Sequence, residues 1–344
     1  MAYHTVNHSL SKKIRLFFKI ANNLSATHPE LVVISFHEYF RNLYLIDPYI
    51  KKRNHKDPKK NLEIVVTNLI NFLYSGKKLG SYLSYKKNKI FREDVETGEL
   101  FGTLWQDRMN NKSLNSLPIL KGLFKRANFN IKKLKNKTVL DMGCGSGRFT
   151  TSLAKLGVKK AFGVDKGRAG LKIAKKYAKK NKIKNLQYKN ASVLNLPFKN
   201  ERFDFVFCKG VLHHTGNLKK GLNEFYRVMK KNGEGFLYLY GSGGIFWNSR
   251  KLMRNIMKKI PYKKAFKILK TIEMPARRTI FLDSWYVEIE EHVNKKFLEN
   301  WFYKKKLKFF KYDNPLKTEL EYMEKYKYFK EMYGSGELRY FVQK

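Results

Sequence analysis

Chemistry is densest between Asp141 and Gly147, where an acid and glycines at 143, 145 and 147 alternate with Met142, Cys144 and Ser146. Val139 and Leu140 in front read as the end of a buried strand. The run from Arg148 to Leu156, apolar at Leu153, Ala154 and Leu156, reads as an opening helix. Glycine lets the backbone turn through positive φ and lets a ligand approach where a Cβ would collide, while the helix start offers unpaired N–H groups. Such a unit describes a nucleotide-type cofactor site; the alternative is a glycine-rich turn without a ligand. A dinucleotide fingerprint, G-x-G-x-x-G, does not fit, because the third glycine comes one residue early and Arg148 stands where that fingerprint places glycine.

The spacing D-x-G-x-G-x-G, with the acid at a strand end, resembles motif I of the class I S-adenosylmethionine (SAM) dependent methyltransferases. The resemblance implies SAM as cofactor, with Gly143, Gly145 and Gly147 under its methionine part and Asp141 serving its amino group directly or through water. Asp165, which closes the apolar run 161–164, matches the family's second-strand acid. Its implied task, accepting from both ribose hydroxyls, suits an ionised two-oxygen acceptor; the alternative is a cap on the following helix. The run from Ala191 to Phe198 resembles the family's adenine loop. Ser192 stands where many members carry aspartate, so adenine recognition shifts toward the backbone around Val193. Lys209 occupies a cofactor-side place often held by a small polar residue. The likeness covers about residue 136 to 344, with its specific motifs between Val139 and Tyr240.

Further residues invite roles on the acceptor side. His213 and His214 follow the fourth strand, where ligands gather in open α/β sheets, and a histidine there can act as general base; plain packing is the alternative. Phe101, Gly102 and Trp105 resemble a lid over the cofactor, against ordinary packing of an i, i+4 aromatic pair. Tyr240, Tyr286 and Trp105 are the candidate substrate contacts. The two cysteines, Cys144 and Cys208, lack metal-ligand spacing, and no metal is expected.

The elements that must position these groups alternate strand and helix. Strands are expected to end at Leu140, Asp165, Lys189, Cys208 and Tyr240, then to follow at 308–312 and 337–342. Helices are expected at 148–156, 170–181, 217–231 and 294–307. The fold class is therefore α/β: a Rossmann-like, seven-stranded, mostly parallel sheet with helices on both faces, plus a helical N-terminal region and a helical insertion after the fifth strand. The expected domains are a helical region at 1–90, lid and linker helices at 91–135, and a methyltransferase domain at 136–344 with its insertion at about 241–290. Between residues 10 and 49 the pattern is helical until Asp47-Pro48 interrupts it, and 51–60 reads as a basic linker.

Composition adds a formal net charge of +44 over 344 residues. Lysine is scattered through every segment and is not gathered with stacking aromatics, so a specific nucleic-acid interface is not expected. The fourth strand is followed by Lys209, Gly210, Val211 and Leu212, not by the Asn/Asp-Pro-Pro-aromatic tetrad typical of enzymes of this fold that methylate base amino groups. No signal-peptide pattern or membrane-spanning run is seen, and a cytoplasmic location is expected. The expected activity is methyl transfer from SAM to a small-molecule, glycan or lipid-precursor acceptor. An RNA methyltransferase and a non-catalytic SAM-binding protein are the alternatives, and a homodimer is an open partner.

Overall fold

A computed structural model describes residues 8–52, 58–82, 116–273, 275–311 and 328–344. The lid segment with Phe101 and Trp105, and residues 53–57 of the basic linker, lie outside the described residues; 51–52 and 58–60 belong to helices. The chain divides into two compact units: one comprises Met1–Asp94, Gly243–Tyr286 and Leu316–Gly334, the other Val95–Ser242, Val287–Pro315 and Ser335–Lys344.

The second unit is built on a seven-stranded sheet of order β3-β2-β1-β4-β5-β7-β6. Its strands are β1 (Thr138–Met142), β2 (Lys160–Asp165), β3 (Leu186–Asn190), β4 (Phe203–Lys209), β5 (Met229–Tyr240), β6 (Lys308–Lys311) and β7 (Glu337–Gln343). The first five are parallel, and β7 inserts antiparallel between β5 and β6. Order reverses between β1 and β4, which opens a ligand crevice at the carboxyl ends of those strands. Alternation along the strands supplies two cores. Leu140, Phe162, Val206, Leu237 and Tyr340 point to one face, where they meet Leu222, Phe225, Leu298 and Phe302. Val139, Ala161, Phe205, Phe207, Phe236 and Phe341 point to the other, against Leu123, Phe124, Phe149 and Leu153.

In the first unit, helices α1 (His8–Leu24), α2 (Pro29–Lys52) and α3 (Pro58–Tyr82) occur with three helices of the insertion, Gly244–Met257, Tyr262–Ile272 and Pro275–Tyr286. Phe17, Phe36 and Tyr39 form an aromatic knot there, and the Tyr39 and Ser249 hydroxyls lie 2.7 Å apart. His37 Nε2 meets a carboxylate oxygen of Glu273 at 2.9 Å.

Two expectations about boundaries are corrected. The first helical stretch breaks near 25–28, ahead of Pro29, and the helix that starts there runs through Asp47-Pro48 to Lys52. Proline suits a first helical position, and inside a helix it removes one hydrogen bond without always ending it. The helix expected at 217–231 spans Leu218–Val228, and β5 already starts at Met229. Met229 pairs with Phe203 before the register shifts to Glu234 beside Phe205, and Asn232 takes the extra length with φ +59°.

Candidate active site

The glycine loop leaves β1 and enters the helix Arg148–Ala154 after it. Gly143, Gly145 and Gly147 have φ of +80°, +52° and +75°, a region that a side-chain-bearing residue enters only with strain. The turn is pinned from below by backbone, since the N–H groups of Gly143 and Cys144 both donate to the Val164 carbonyl, at 2.8 and 2.9 Å. A Cβ on Gly147 would lie 2.3 Å from the Tyr188 hydroxyl, and one on Gly170 would lie 3.0 Å from the Gly145 carbonyl. Glycine at 147 and 170 thus lets Tyr188 and the helix Arg168–Lys180 close on the loop.

Asp165 organises the crevice at the end of β2. Its Oδ2 accepts from the Gly145 N–H and its Oδ1 from the Gly167 N–H, both at 2.7 Å. Burial raises its pKa, and those backbone donors oppose the rise. The Lys166 N–H also bears on this carboxylate, so the backbone takes most of its roughly four acceptor sites.

Asp141 is buried at the end of β1, with 3% exposure. Thr150 Oγ1 donates to its Oδ2 at 2.6 Å. Burial pushes its pKa up from 3.8 to about 7, the charge of Asp165 adds to the rise, and the Thr150 hydroxyl opposes it. Cys144 and Cys208 are buried free thiols whose pKa values burial raises, so thiolate chemistry is suppressed at both.

The adenine-loop candidates sit on a turn held from behind. Ser192 Oγ accepts from the Leu194 N–H at 3.1 Å, and Val193 is buried. Glu224 accepts the Leu196 N–H at 2.7 Å, while Arg227 donates to the Leu196 and Phe198 carbonyls at 3.1 and 2.7 Å and pairs with Glu224. Ser192 therefore uses an acceptor site to close its own turn, and its hydroxyl hydrogen stays available to donate.

Past β4 the two histidines differ. His213 is fully buried, stacks on Tyr240 at 3.8 Å between centroids, and accepts the Tyr240 N–H on Nδ1 at 3.2 Å. His214 Nδ1 lies 2.8 Å from the Ile289 carbonyl, which can only accept. These partners put the neutral ring's proton on Nε2 in His213 and on Nδ1 in His214, leaving the lone pair of His214 on Nε2. The ammonium of Lys209 lies over the rings of Phe149 and Tyr238, 5.5 and 5.2 Å from their centroids.

The structure brings Asp141, the three glycines and Asp165 together around one loop, and Lys209, His213, His214 and Tyr240 to the carboxyl edge of β4 and β5. Tyr286 belongs to the helical unit, where its hydroxyl donates to the Ile260 carbonyl at 2.8 Å. Thr150, Tyr188, Gly170, Glu224 and Arg227 escape a sequence reading. Thr150 alone leaves a trace, one helical turn into the helix that the glycines open.

The sheet order, with its inserted antiparallel seventh strand and an acid at the end of each of the first two strands, defines a class I, Rossmann-like methyltransferase fold. A family model described as "Methyltransferase domain" matches residues 133–306. The chain belongs to the class I SAM-dependent methyltransferases. A ubiquinone biosynthesis O-methyltransferase of Pelagibacter ubique is 35% identical over 106 residues, 31% of this chain and 43% of that protein. A tRNA U34 carboxymethyltransferase of Campylobacter hominis is 35% identical over 116 residues, 32% of this chain and 39% of that protein. The chain thus spans about two-fifths of the length of these two relatives. Among solved structures, PKMT2 from Rickettsia typhi in complex with AdoHcy aligns with a TM-score of 0.48 at 18% identity, over 67% of this chain and 53% of that one.

Proposed function

We propose that the protein transfers a methyl group from SAM to a small-molecule, glycan or lipid-precursor acceptor. The observation that carries the reading is Asp165, a half-buried carboxylate aimed by two backbone N–H bonds of 2.7 Å beside a loop of three positive-φ glycines. Gly143, Gly145 and Gly147 shape the loop under the cofactor's methionine part, Gly143 and Gly147 by letting Val211 and Tyr188 pack against it, while Asp141 faces its amino group, Asp165 takes the ribose, and Ser192 with Val193 flanks the adenine. The sulfonium of SAM supplies a methyl group that is already electrophilic. The chain's own task is then to hold an acceptor in line with that carbon, which provides much of the acceleration through orientation.

Where the acceptor must lose a proton, His214 is the better base. Its Nε2 holds the lone pair while the Ile289 carbonyl fixes the ring through Nδ1. His213 keeps the hydrogen on Nε2 and acts as a packing partner of Tyr240.

A tRNA-modifying relative keeps an RNA acceptor as the second reading, and a SAM-binding protein without catalysis as the third. One experiment separates all three. Purified protein, methyl-labelled SAM and cell extract are incubated at physiological salt, and label is followed into small-molecule, lipid and RNA fractions. Label in the small-molecule or lipid fraction supports the proposal, label in RNA alone replaces it with the second reading, and bound but unconverted SAM favours the third.

A further inference from the structure

A short strap, residues 289–293, ties His213, His214 and Tyr240 together at the carboxyl edge of β4 and β5, and all of these residues belong to the sheet unit. Three main-chain groups leave it at alternate residues, as those of an extended chain do. The Ile289 carbonyl lies 2.8 Å from His214 Nδ1, the Glu291 N–H donates to the His213 carbonyl at 2.7 Å, and the Val293 N–H donates to the Tyr240 carbonyl at 3.0 Å. Glu291, at the middle of the strap, is also held through its side chain. The Leu218 N–H, at the start of the helix Leu218–Val228, bears on its carboxylate and opposes the rise in pKa that burial causes. Its Oε2 is buried without a hydrogen-bond partner. A carboxylate oxygen kept in that way costs the fold stability that an uncharged side chain would not, so packing alone does not account for an acid at this position.

We propose that Glu291 is a positioning residue: by tying the strap to the helix start at Leu218 through its side chain and to His213 through its main chain, it fixes the Ile289 carbonyl and, through that carbonyl, the ring tautomer of His214. The inference rests on the proposed methyl-transfer reading only for the use of the His214 lone pair as a base. The ring next to it supplies a contrast. His213 takes its tautomer from the Tyr240 N–H on Nδ1, a bond that does not run through the Glu291 side chain. Removing the carboxylate leaves the strap anchored on one side only, which releases the Ile289 carbonyl and the ring of His214 and spares the ring of His213.

The test uses the full chain with isotope-labelled histidine at about pH 8, where an ordinary imidazole is neutral, and reads the two ring nitrogens of each histidine by NMR. His213→Gln and His214→Gln assign the signals. Wild type is expected to show one tautomer at each ring, with the proton on Nδ1 in His214 and on Nε2 in His213. Glu291→Ala is expected to shift His214 alone toward a mixture of both tautomers. Glu291→Met, which fills the space but accepts no hydrogen bond, should do the same and separates the effect from that of a cavity. Glu291→Gln, whose amide oxygen can still accept from the Leu218 N–H, should restore the wild-type signal. A wild-type His214 protonated on Nε2 overturns the proposal. So does a His214 signal unchanged in both Glu291→Ala and Glu291→Met, equal scrambling of His213 and His214, or failure of Glu291→Gln to restore the signal. None of these readouts needs cofactor or acceptor. Failure of transfer from methyl-labelled SAM in cell extract, with the wild-type tautomers as stated, overturns the reaction instead and leaves the positioning role in place.

Discussion

Asp141→Asn should make the protein without cofactor more stable and, at the same time, a poorer binder of SAM. The carboxyl is buried, and its pKa in the fold is about 7 against an ordinary 3.8. Between those pH values the folded chain keeps a proton that the unfolded chain has released. The group therefore stabilises the fold most at low pH, and that contribution is lost as pH rises to about 7. At roughly 1.4 kcal/mol per pH unit the loss amounts to up to about 4 kcal/mol. Asparagine has the same shape, carries no charge and can still accept the Thr150 hydroxyl. Urea unfolding of both proteins at pH 4.5, 6 and 8 should show a variant that matches wild type at the acid end and exceeds it by a few kcal/mol at pH 8. Calorimetry at pH 8 should show SAM affinity falling at least tenfold, because a cationic amino group loses its counter-charge. A stability offset that stays constant with pH refutes the reasoning, as does unimpaired SAM binding.

Asp165→Ala is expected to weaken SAM binding strongly, each lost bond to the carboxylate being worth about 1.5–3 kcal/mol; an unchanged dissociation constant would show that it does not hold the ribose. Gly145→Val, at φ +52°, should abolish SAM binding while circular dichroism still reports a folded chain, and normal binding would reduce the loop to a mere turn. Tyr188→Phe removes the hydroxyl that lies 3.3 Å from the Gly147 carbonyl and 3.2 Å from Thr151 Oγ1. It should cost about 1 kcal/mol in a denaturant melt, and no change would mean that the ring alone buttresses the loop. Once an acceptor is in hand, His214→Gln should flatten the acid limb of the rate profile and His213→Gln should not; identical profiles would remove His214 as base.

The motif between Asp141 and Gly147, the acid at 165 and the succession of strands along the chain could be read because each depends on local pattern, whereas the arrangement of the sheet came only with the family resemblance. A buried strand, a turn that requires glycine and an acid at a strand end leave their marks within a dozen residues. What supports the loop could not be read. Tyr188 and Gly170 meet it across the sheet and from the next helix, so neither carries a local signal. Glu224 and Arg227 look like an ordinary i, i+3 surface pair and become the brace of the turn at 192–198 only when their helix lies beside it. Asp47-Pro48 misled for the opposite reason, since a strong local breaker was overridden by the helix around it.

The antiparallel β7 has a consequence for how the protein is made. Its partner β5 is complete at Tyr240, yet the residues that pair with it begin at Glu337, about a hundred positions later on the ribosome. During that interval one edge of β5 presents open N–H and C=O groups along Phe236, Leu237 and Leu239, a flat apolar ribbon prone to pairing with other chains. Lysine-rich neighbours then serve as gatekeepers, keeping nascent chains apart by mutual repulsion until the last strand arrives. High salt, which screens that repulsion, should lower refolding yield even where it leaves the finished fold intact.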